Sequence, residues 1–540
     1  MIDPRKAETL AELYRGSTET YKELEWSSFA DGSHKYTFSS FRSECDSMAF
    51  LLTAHGLTRG DKVAILSENM PNWGLAFFSV TAFGMVAVPI LPDCSENEVN
   101  NILHHSEAKA VFVSRKQQRK VSPENRASLS LVLAIETLEV LSCSSKPSRK
   151  AMKYSDPRPE DLAVLIYTSG TSGNAKGVML SHRNLCHNLV SSPGVHKTGR
   201  GTVWLSILPL AHTFELSLGM LYPFAYGSRL YYLETAPTPS VLMKAFAQVH
   251  PRLMCSVPLV IEKIYRKSIV PAIKGSPVLS FMDRNLPGLL YPILGSKLKK
   301  VFGGNLEVIA IGGAKLDSEV ERFLKLAHFP YAIGYGMTET APLLCAAPLG
   351  KTSIGSTGYA VKGVEMKLLN PDPATGEGEI VVKGPNVMIG YYKDEKRTAE
   401  MFTEDGWMHT RDLAVIDAKG NYSIKGRLSN MILGASGENI YPEEIEMVLN
   451  ACDKVEESLV ISENGRLVAL IKLWDNFIDW DRKGEETFEA ASEALKSEIL
   501  RHVNKAVSRA SQISSIRFIK EPFEKTATKK IRRFLYNCPK

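Results

Sequence analysis

The chain runs to 540 residues, 44% hydrophobic and 23% charged, with a formal net charge of +6, a globular composition too long for one core. The mild positive balance suits an anionic small ligand or a weak peripheral membrane contact, and is too diffuse for nucleic acid, which is excluded as a partner. Eight cysteines without a CxxC pair or a Cys/His cluster exclude a zinc site and a disulfide framework, and predict a reducing, cytoplasmic compartment.

In chain order, the opening MIDPRKAETL lacks the apolar core of a signal peptide. DKVAILSEN (61–69) and AKAVFVS (108–114) read as buried strands bracketing helical stretches. The longest uncharged run, Leu75 to Leu91, is broken by Ser79, Thr81, Gly84 and Pro89 and falls short of the ~20 residues a membrane span needs. It reads as a buried helix running into a strand. SCSSKPSRK (142–150) reads as an exposed loop. DLAVLIY (161–167) is a strand, and GVMLSH (177–182) is another, with Ser181 placed to cap a helix. LPGLLYPILGSKLKKVFGG (286–304) is apolar with Lys297, Lys299 and Lys300, and reads either as core packing or as membrane-surface contact. LEVIAIGGA (306–314) is a strand, followed by a capping box at Ser318–Glu321 and a helix with Val320, Phe323, Leu324 and Ala327 at helical spacing.

This alternation predicts an α/β fold with parallel or mixed sheets over the first ~425 residues. Near Gly426 the character changes. SLVISENGRLVALIKL (458–473) is a hairpin turned by Asn464-Gly465, a helix covers about 486–507, and a strand sits at about 513–520. These make a small α+β unit.

Between the strands at 161–167 and 177–182 lie Thr168, Ser169, Gly170, Thr171, Ser172, Gly173, Asn174, Ala175 and Lys176. Glycines let backbone approach a ligand closely, successive N–H groups form an anion nest, and the hydroxyls and lysine add donors. A Walker A loop has Gly before its lysine and opens directly into a helix. Here Ala175 precedes the lysine and a strand follows, so this is a different phosphate-binding device.

YTSGTSGNAKG (167–177) resembles the signature of the adenylate-forming superfamily, which includes acyl-CoA synthetases, adenylation domains and luciferases. Further pieces resemble that superfamily in order along roughly residues 35 to 535. The phrases LPLAHTFE, GYGMTETAP, GYYKDEKRTAEMF and FEKTATKKIRRF look most like long-chain fatty acyl-CoA synthetases.

The resemblance implies a large N-terminal adenylation domain of layered mixed sheets (1–426) and a small mobile α+β C-terminal lid (427–540) carrying the catalytic lysine. It implies ATP and Mg²⁺, with CoA as co-substrate. His212, in LPLAHTFE, stands near where acyl chain and phosphate meet. Gly312, Gly313 and Ala314 form the loop that holds adenine. In GYGMTET, Tyr335 stacks on adenine beside Gly336, while Thr338 and Glu339 serve the α-phosphate and the metal, with Thr171 as a second metal contact. Asp412 accepts from the ribose hydroxyls, Arg427 lies near the ribose, and Lys530 bridges carboxylate and α-phosphate.

Three positions depart from the family pattern. Arg411 stands where a glycine usually precedes the ribose aspartate, Ser429-Asn430 where the hinge often has Lys-Asp, and Ala175 where proline is frequent. The activity implied is conversion of a long-chain fatty acid to acyl-AMP and then acyl-CoA. The alternatives are an acyl carrier protein or another carboxylate as reactant, or an inactive nucleotide- or acyl-binding homologue with Arg411 as its lesion.

Overall fold

Strands rich in Val, Ile and Leu with no polar face need cover on both sides, and that requirement organises the larger part of the molecule. The computed structural model describes residues 2–144, 146–148, 156–169, 175–433, 438–475, 477 and 485–536. Lys62–Leu66 pairs in parallel with Val86–Ile90 on one side and with Ala108–Val113 on the other. These strands lie inside an eight-stranded sheet ordered Gly390–Tyr391, Ala175–Ser181, Leu162–Ser169, Val86–Ile90, Lys62–Leu66, Ala108–Val113, Leu131–Ala134, Val140–Cys143. The run from Leu75 is the buried helix Pro71–Thr81 feeding the strand Val86–Ile90, as expected. No helix among the described residues is long and apolar enough to cross a membrane.

A second, nine-stranded sheet has the parallel centre Tyr331–Gly336, Val308–Ile311, Leu253–Ser256, Val203–Ser206, Arg229–Tyr232. Ser181 caps the helix His182–Ser191 through a capping box with Asn184. The helix near 318 differs from expectation by one position. Asp317 is its N-cap, its carboxylate accepting from the N–H groups of Glu319 and Val320, and Ser318 is the first helical residue. Either side chain can cap, and the preceding turn decides which residue occupies the cap.

The chain forms two compact units, Met1–Met366 with Val382–Met408 and Asp417–Tyr422, and Lys367–Val381 with His409–Ile416 and Ser423–Lys540. The sequence reading cut once, at 426/427. The structural division is discontinuous because Glu365–Leu369, Gly378–Lys383, Met408–Ile416 and Tyr422–Arg427 hydrogen-bond into one four-stranded sheet.

In the second unit the strands Val455–Glu463 and Arg466–Leu473 form the expected hairpin, with Asn464 at φ 50° and Gly465 at φ 73° in the turn. Period two then sorts its apolar residues onto two buried faces. Val460, Ala469 and Ile471 meet Ile445, Leu449, Ile499 and Val503 from the helices Pro442–Asn450 and Glu485–Ala506. Leu459, Ile461, Val468 and Leu470 meet Phe523, with Ile531 and Tyr536 packed alongside. The segment bearing Lys530 is thereby fastened to the outer face of the hairpin.

Candidate active site

In the first unit an apolar pocket, partly open to solvent, runs between the ends of the strands Leu253–Ser256, Val308–Ile311 and Tyr331–Gly336. His212, Gly312, Gly313, Tyr335 and Gly336 line it, together with the apolar Phe214, Leu218 and Ile333. Five separately predicted positions thus share one wall. Ala314 follows Gly313 at the exposed end of that loop. His212 takes the Phe214 N–H on its Nδ1 at 3.2 Å, which in the neutral ring puts the proton on Nε2.

Gly336 explains its own residue type. A Cβ there would sit 1.9 Å from the Pro342 carbonyl oxygen, so the strand can turn tightly into Leu343–Ala346 only without a side chain. The turn is tied down by buried amides. Asn386 donates to the carbonyls of Thr340 and Leu343, and Asn188 donates to Ala341 and accepts from the Leu343 N–H. Thr213 beside His212 donates to Thr338 Oγ1 at 3.2 Å, joining LPLAHTFE to GYGMTET.

Thr168 and Lys176 are cross-strand partners on the hairpin Leu162–Ser169/Ala175–Ser181, and Ser169 ends its first strand. Gly170, Thr171, Ser172 and Gly173 lie outside the described residues. The ammonium of Lys176 stands 5.1 Å from the centre of the Tyr391 ring, and the Tyr391 hydroxyl donates to Glu339 Oε1 at 2.9 Å. One tyrosine therefore links the loop lysine to the buried Glu339. Its importance was not visible beforehand: Tyr391 lies in the quoted GYYKDEKRTAEMF, but no spacing rule aims it at Glu339.

A second unanticipated group is Glu215, the last residue of LPLAHTFE, wholly buried on the π-helical turn Glu215–Leu221. Burial pushes its carboxyl up to about 8 against the opposing pull of the nearby Ser206 and Ile207 backbone, and neither carboxyl oxygen makes a hydrogen bond of normal geometry. The raised native value stabilises the fold fully below the unfolded pKa, and that stability is lost as pH rises toward 8. The expected decline is about 1.4 kcal/mol per pH unit across that window. Glu215→Gln should flatten this part of the stability–pH curve, read from denaturation midpoints between pH 5 and 8. An unchanged slope would reject a neutral buried Glu215.

In the second unit Asp412 is buried and pairs with Arg427, Nε to Oδ1 at 3.3 Å. Arg411 adopts φ 61°, the left-handed conformation that favours glycine and costs other residues about 1–2 kcal/mol. Its side chain points outward near Glu379, at 4.0 Å, and the Asp412–Arg427 pair forms beside it. The bulk of Arg411 therefore does not displace Asp412. Lys530 is exposed on a turn where its N–H donates to Thr526 Oγ1 at 3.2 Å and its carbonyl accepts from the Thr526 N–H at 2.8 Å.

Residues 17–392 match the AMP-binding enzyme family. The chain belongs to that family. Among relatives of this AMP-binding enzyme, the peroxisomal long chain acyl-CoA synthetase 7 of Arabidopsis thaliana is 28% identical over 91% of this chain and 76% of its own. A long-chain-fatty-acid–CoA ligase of Mycobacterium bovis is 28% identical over 89% of this chain and 87% of its own. A chloroplastic long-chain-fatty-acid–[acyl-carrier-protein] ligase of Arabidopsis thaliana is 27% identical over 97% and 84%. The o-succinylbenzoate CoA synthetase of Bacillus subtilis, solved with its acyl-adenylate intermediate, shares the fold at a TM-score of 0.76, with 21% identity over 98% of each chain. So does MatB from Rhodopseudomonas palustris bound to ATP, at a TM-score of 0.75 and 22% identity over 98% of each chain. The AMP-binding enzyme described here is an adenylate-forming ligase of the acyl-CoA synthetase kind.

Proposed function

We propose that this ligase activates a long-chain fatty acid. A carboxylate oxygen attacks the α-phosphorus of ATP, the bond to the bridging oxygen breaks, and pyrophosphate leaves. The CoA thiolate then attacks the acyl carbon and AMP departs with its phosphate oxygen, giving acyl-CoA. The observation that carries this reading is the apolar cavity flanked by His212, Tyr335 and the bare backbone of Gly312 and Gly313. An aliphatic tail needs apolar walls, and a flat base can lie only against backbone that presents no side chain.

On this reading Thr168–Gly173 and Lys176 bind the β- and γ-phosphates, Tyr335 stacks on adenine, and Asp412 accepts from the ribose hydroxyls beside Arg427. The residues present suit Mg²⁺. Among the described residues no cluster of three or more His, Cys, Asp or Glu side chains forms a cage, and Glu339 is one buried carboxylate of the kind that holds Mg²⁺ together with substrate phosphate. Bound there, the ion would supply positive charge at the phosphate that reacts. Glu339 is oriented for that role by the Tyr391 hydroxyl, and Thr338 by Thr213. Residues 427–540 act as the lid that brings Lys530 to the α-phosphate and then yields to the segment 434–440 for the thiol step. Residues 434–437 of that segment lie outside the described residues.

Pyrophosphate–ATP exchange without CoA, across acetate, octanoate, palmitate and benzoate, tests the proposal. Exchange peaking with palmitate is expected. A peak on benzoate would move the substrate class, and exchange with none of the acids would favour the inactive homologue. The thiol acceptor admits a second reading, acyl carrier protein, because a relative of nearly equal identity carries that acceptor in its name.

A further inference from the structure

The stretch 286–304, readable either as core or as a membrane contact, sends one ridge into the core and leaves another outside it. In the helix Pro287–Val301, Leu290, Leu294 and Leu298 are buried against the first unit's core. Leu289 and Ile293, on the neighbouring ridge about 100° round the helix, are 62% and 51% exposed. The preceding helix, Pro277–Asn285, buries none of its residues, and its Val278 and Phe281 are 67% and 60% exposed. Leu286 between the helices is also exposed. Four large apolar side chains on two consecutive, mutually packed helices, and Leu286 between the helices, are thus exposed. Scattered single exposures need no explanation, but a contiguous set marks an interaction surface.

Charge says what covers it. Residues 265–305 hold seven lysines and arginines against one aspartate, a surplus of six that equals the +6 of the whole chain. Arg266 is paired with Asp317 at 3.1 Å, and Asp283 accepts from the Tyr291 hydroxyl. Lys297 and Lys300 continue the Leu289–Ile293 ridge and are exposed. Five of the seven cations are lysines. Protein interfaces are depleted in lysine, whereas apolar side chains beside lysine-rich helix faces are the signature of peripheral binding to anionic lipid.

We propose that the helices Pro277–Asn285 and Pro287–Val301 dock this protein on an anionic lipid bilayer. Val278, Phe281, Leu286, Leu289 and Ile293 enter the boundary between headgroups and acyl chains, and Lys297 and Lys300 meet the lipid phosphates. The surface does not depend on which acid is activated.

The test is co-sedimentation of the full-length protein with vesicles of phosphatidylcholine alone or with about 30 mol% phosphatidylserine. Wild type should pellet with the anionic vesicles, and the bound fraction should fall as salt shortens the Debye length from ~14 to ~4 Å. The triple variant Phe281→Asp/Leu289→Asp/Ile293→Asp should bind at least about tenfold more weakly, with an unchanged melting temperature because all three side chains are exposed. Lys297→Glu/Lys300→Glu should weaken binding by about tenfold or more, and supplies a second arm if the triple variant fails to fold. Leu290 is left untouched because it is core. Wild type that stays in the supernatant, or variants that pellet like wild type, overturn the proposal. It is equally overturned if the same substitutions instead abolish binding of an acidic carrier protein while vesicle binding persists, which would make the face a protein interface.

Discussion

Replacing Lys530 by alanine is expected to slow adenylation by about 10²–10³-fold, the ~2.7–4 kcal/mol that one preorganised donor contributes where charge develops. Joining a carboxylate to the α-phosphate of ATP brings two anions together. A cation held ready at the phosphorus lowers that barrier more than it aids ground-state binding. The turn carrying Lys530 is held through its backbone, the N–H donating to Thr526 Oγ1 and the carbonyl accepting from the Thr526 N–H, and alanine keeps both bonds, so the fold of the second unit should survive the substitution. Pyrophosphate exchange reads the adenylation step. Thioester formation from supplied acyl adenylate reads the thiol step, in which no bond to phosphorus forms, and should suffer much less. Exchange within tenfold of wild type would reject the assignment.

Arg533→Met should destabilise the second unit by about 3–5 kcal/mol. The Arg533 guanidinium reaches Glu446 directly and Glu443 at 3.8 Å, in the interior of that unit. Burial pushes the Glu446 carboxyl upward against the pull of Arg533, so removing the arginine leaves a carboxylate that must protonate or stay unpaired. Glu446 also accepts the Val460 N–H at 2.7 Å, which ties the helix Pro442–Asn450 to the hairpin. Arg533→Met/Glu446→Leu should recover most of the loss, because an apolar pair of similar size has no charge to solvate, and the Val460 N–H is the remaining cost. Denaturation of the full chain followed by hydrogen exchange in residues 455–473 would report it. Exchange protection in Arg533→Met equal to wild type would sink the prediction. Because Arg533 fastens the segment that presents Lys530, Arg533→Met should also lower adenylation, and the double variant should restore it.

Much of this chain is legible from local pattern. The strands at 62–66 and 108–113, the helix-to-strand run from Pro71 to Ile90, the cap at Ser181 and the Asn464-Gly465 turn follow from hydrophobic period and turn chemistry. The grouping of His212, Gly312, Gly313, Tyr335 and Gly336 came instead from the resemblance to the adenylate-forming superfamily, whose motifs stand in order along the chain. What stayed hidden was pairing. Nothing in the sequence joins Tyr391 to both Lys176 and Glu339, buries Glu215 completely, or ties Arg533 to Glu446.

The sequence by itself determined the types of the elements and the chemical groups available to the site, because propensity, periodicity and turn chemistry act over a few residues. Tertiary structure alone decided which faces are buried. The helix Pro287–Val301 is apolar on two ridges, and only the packing of its neighbours selects Leu290, Leu294 and Leu298 for the core and leaves Leu289 and Ile293 outside. It also decided that Arg411, at a left-handed position, turns outward beside an intact Asp412–Arg427 pair. Burial and ion pairing are properties of segments brought together across hundreds of residues, and no local rule carries that information.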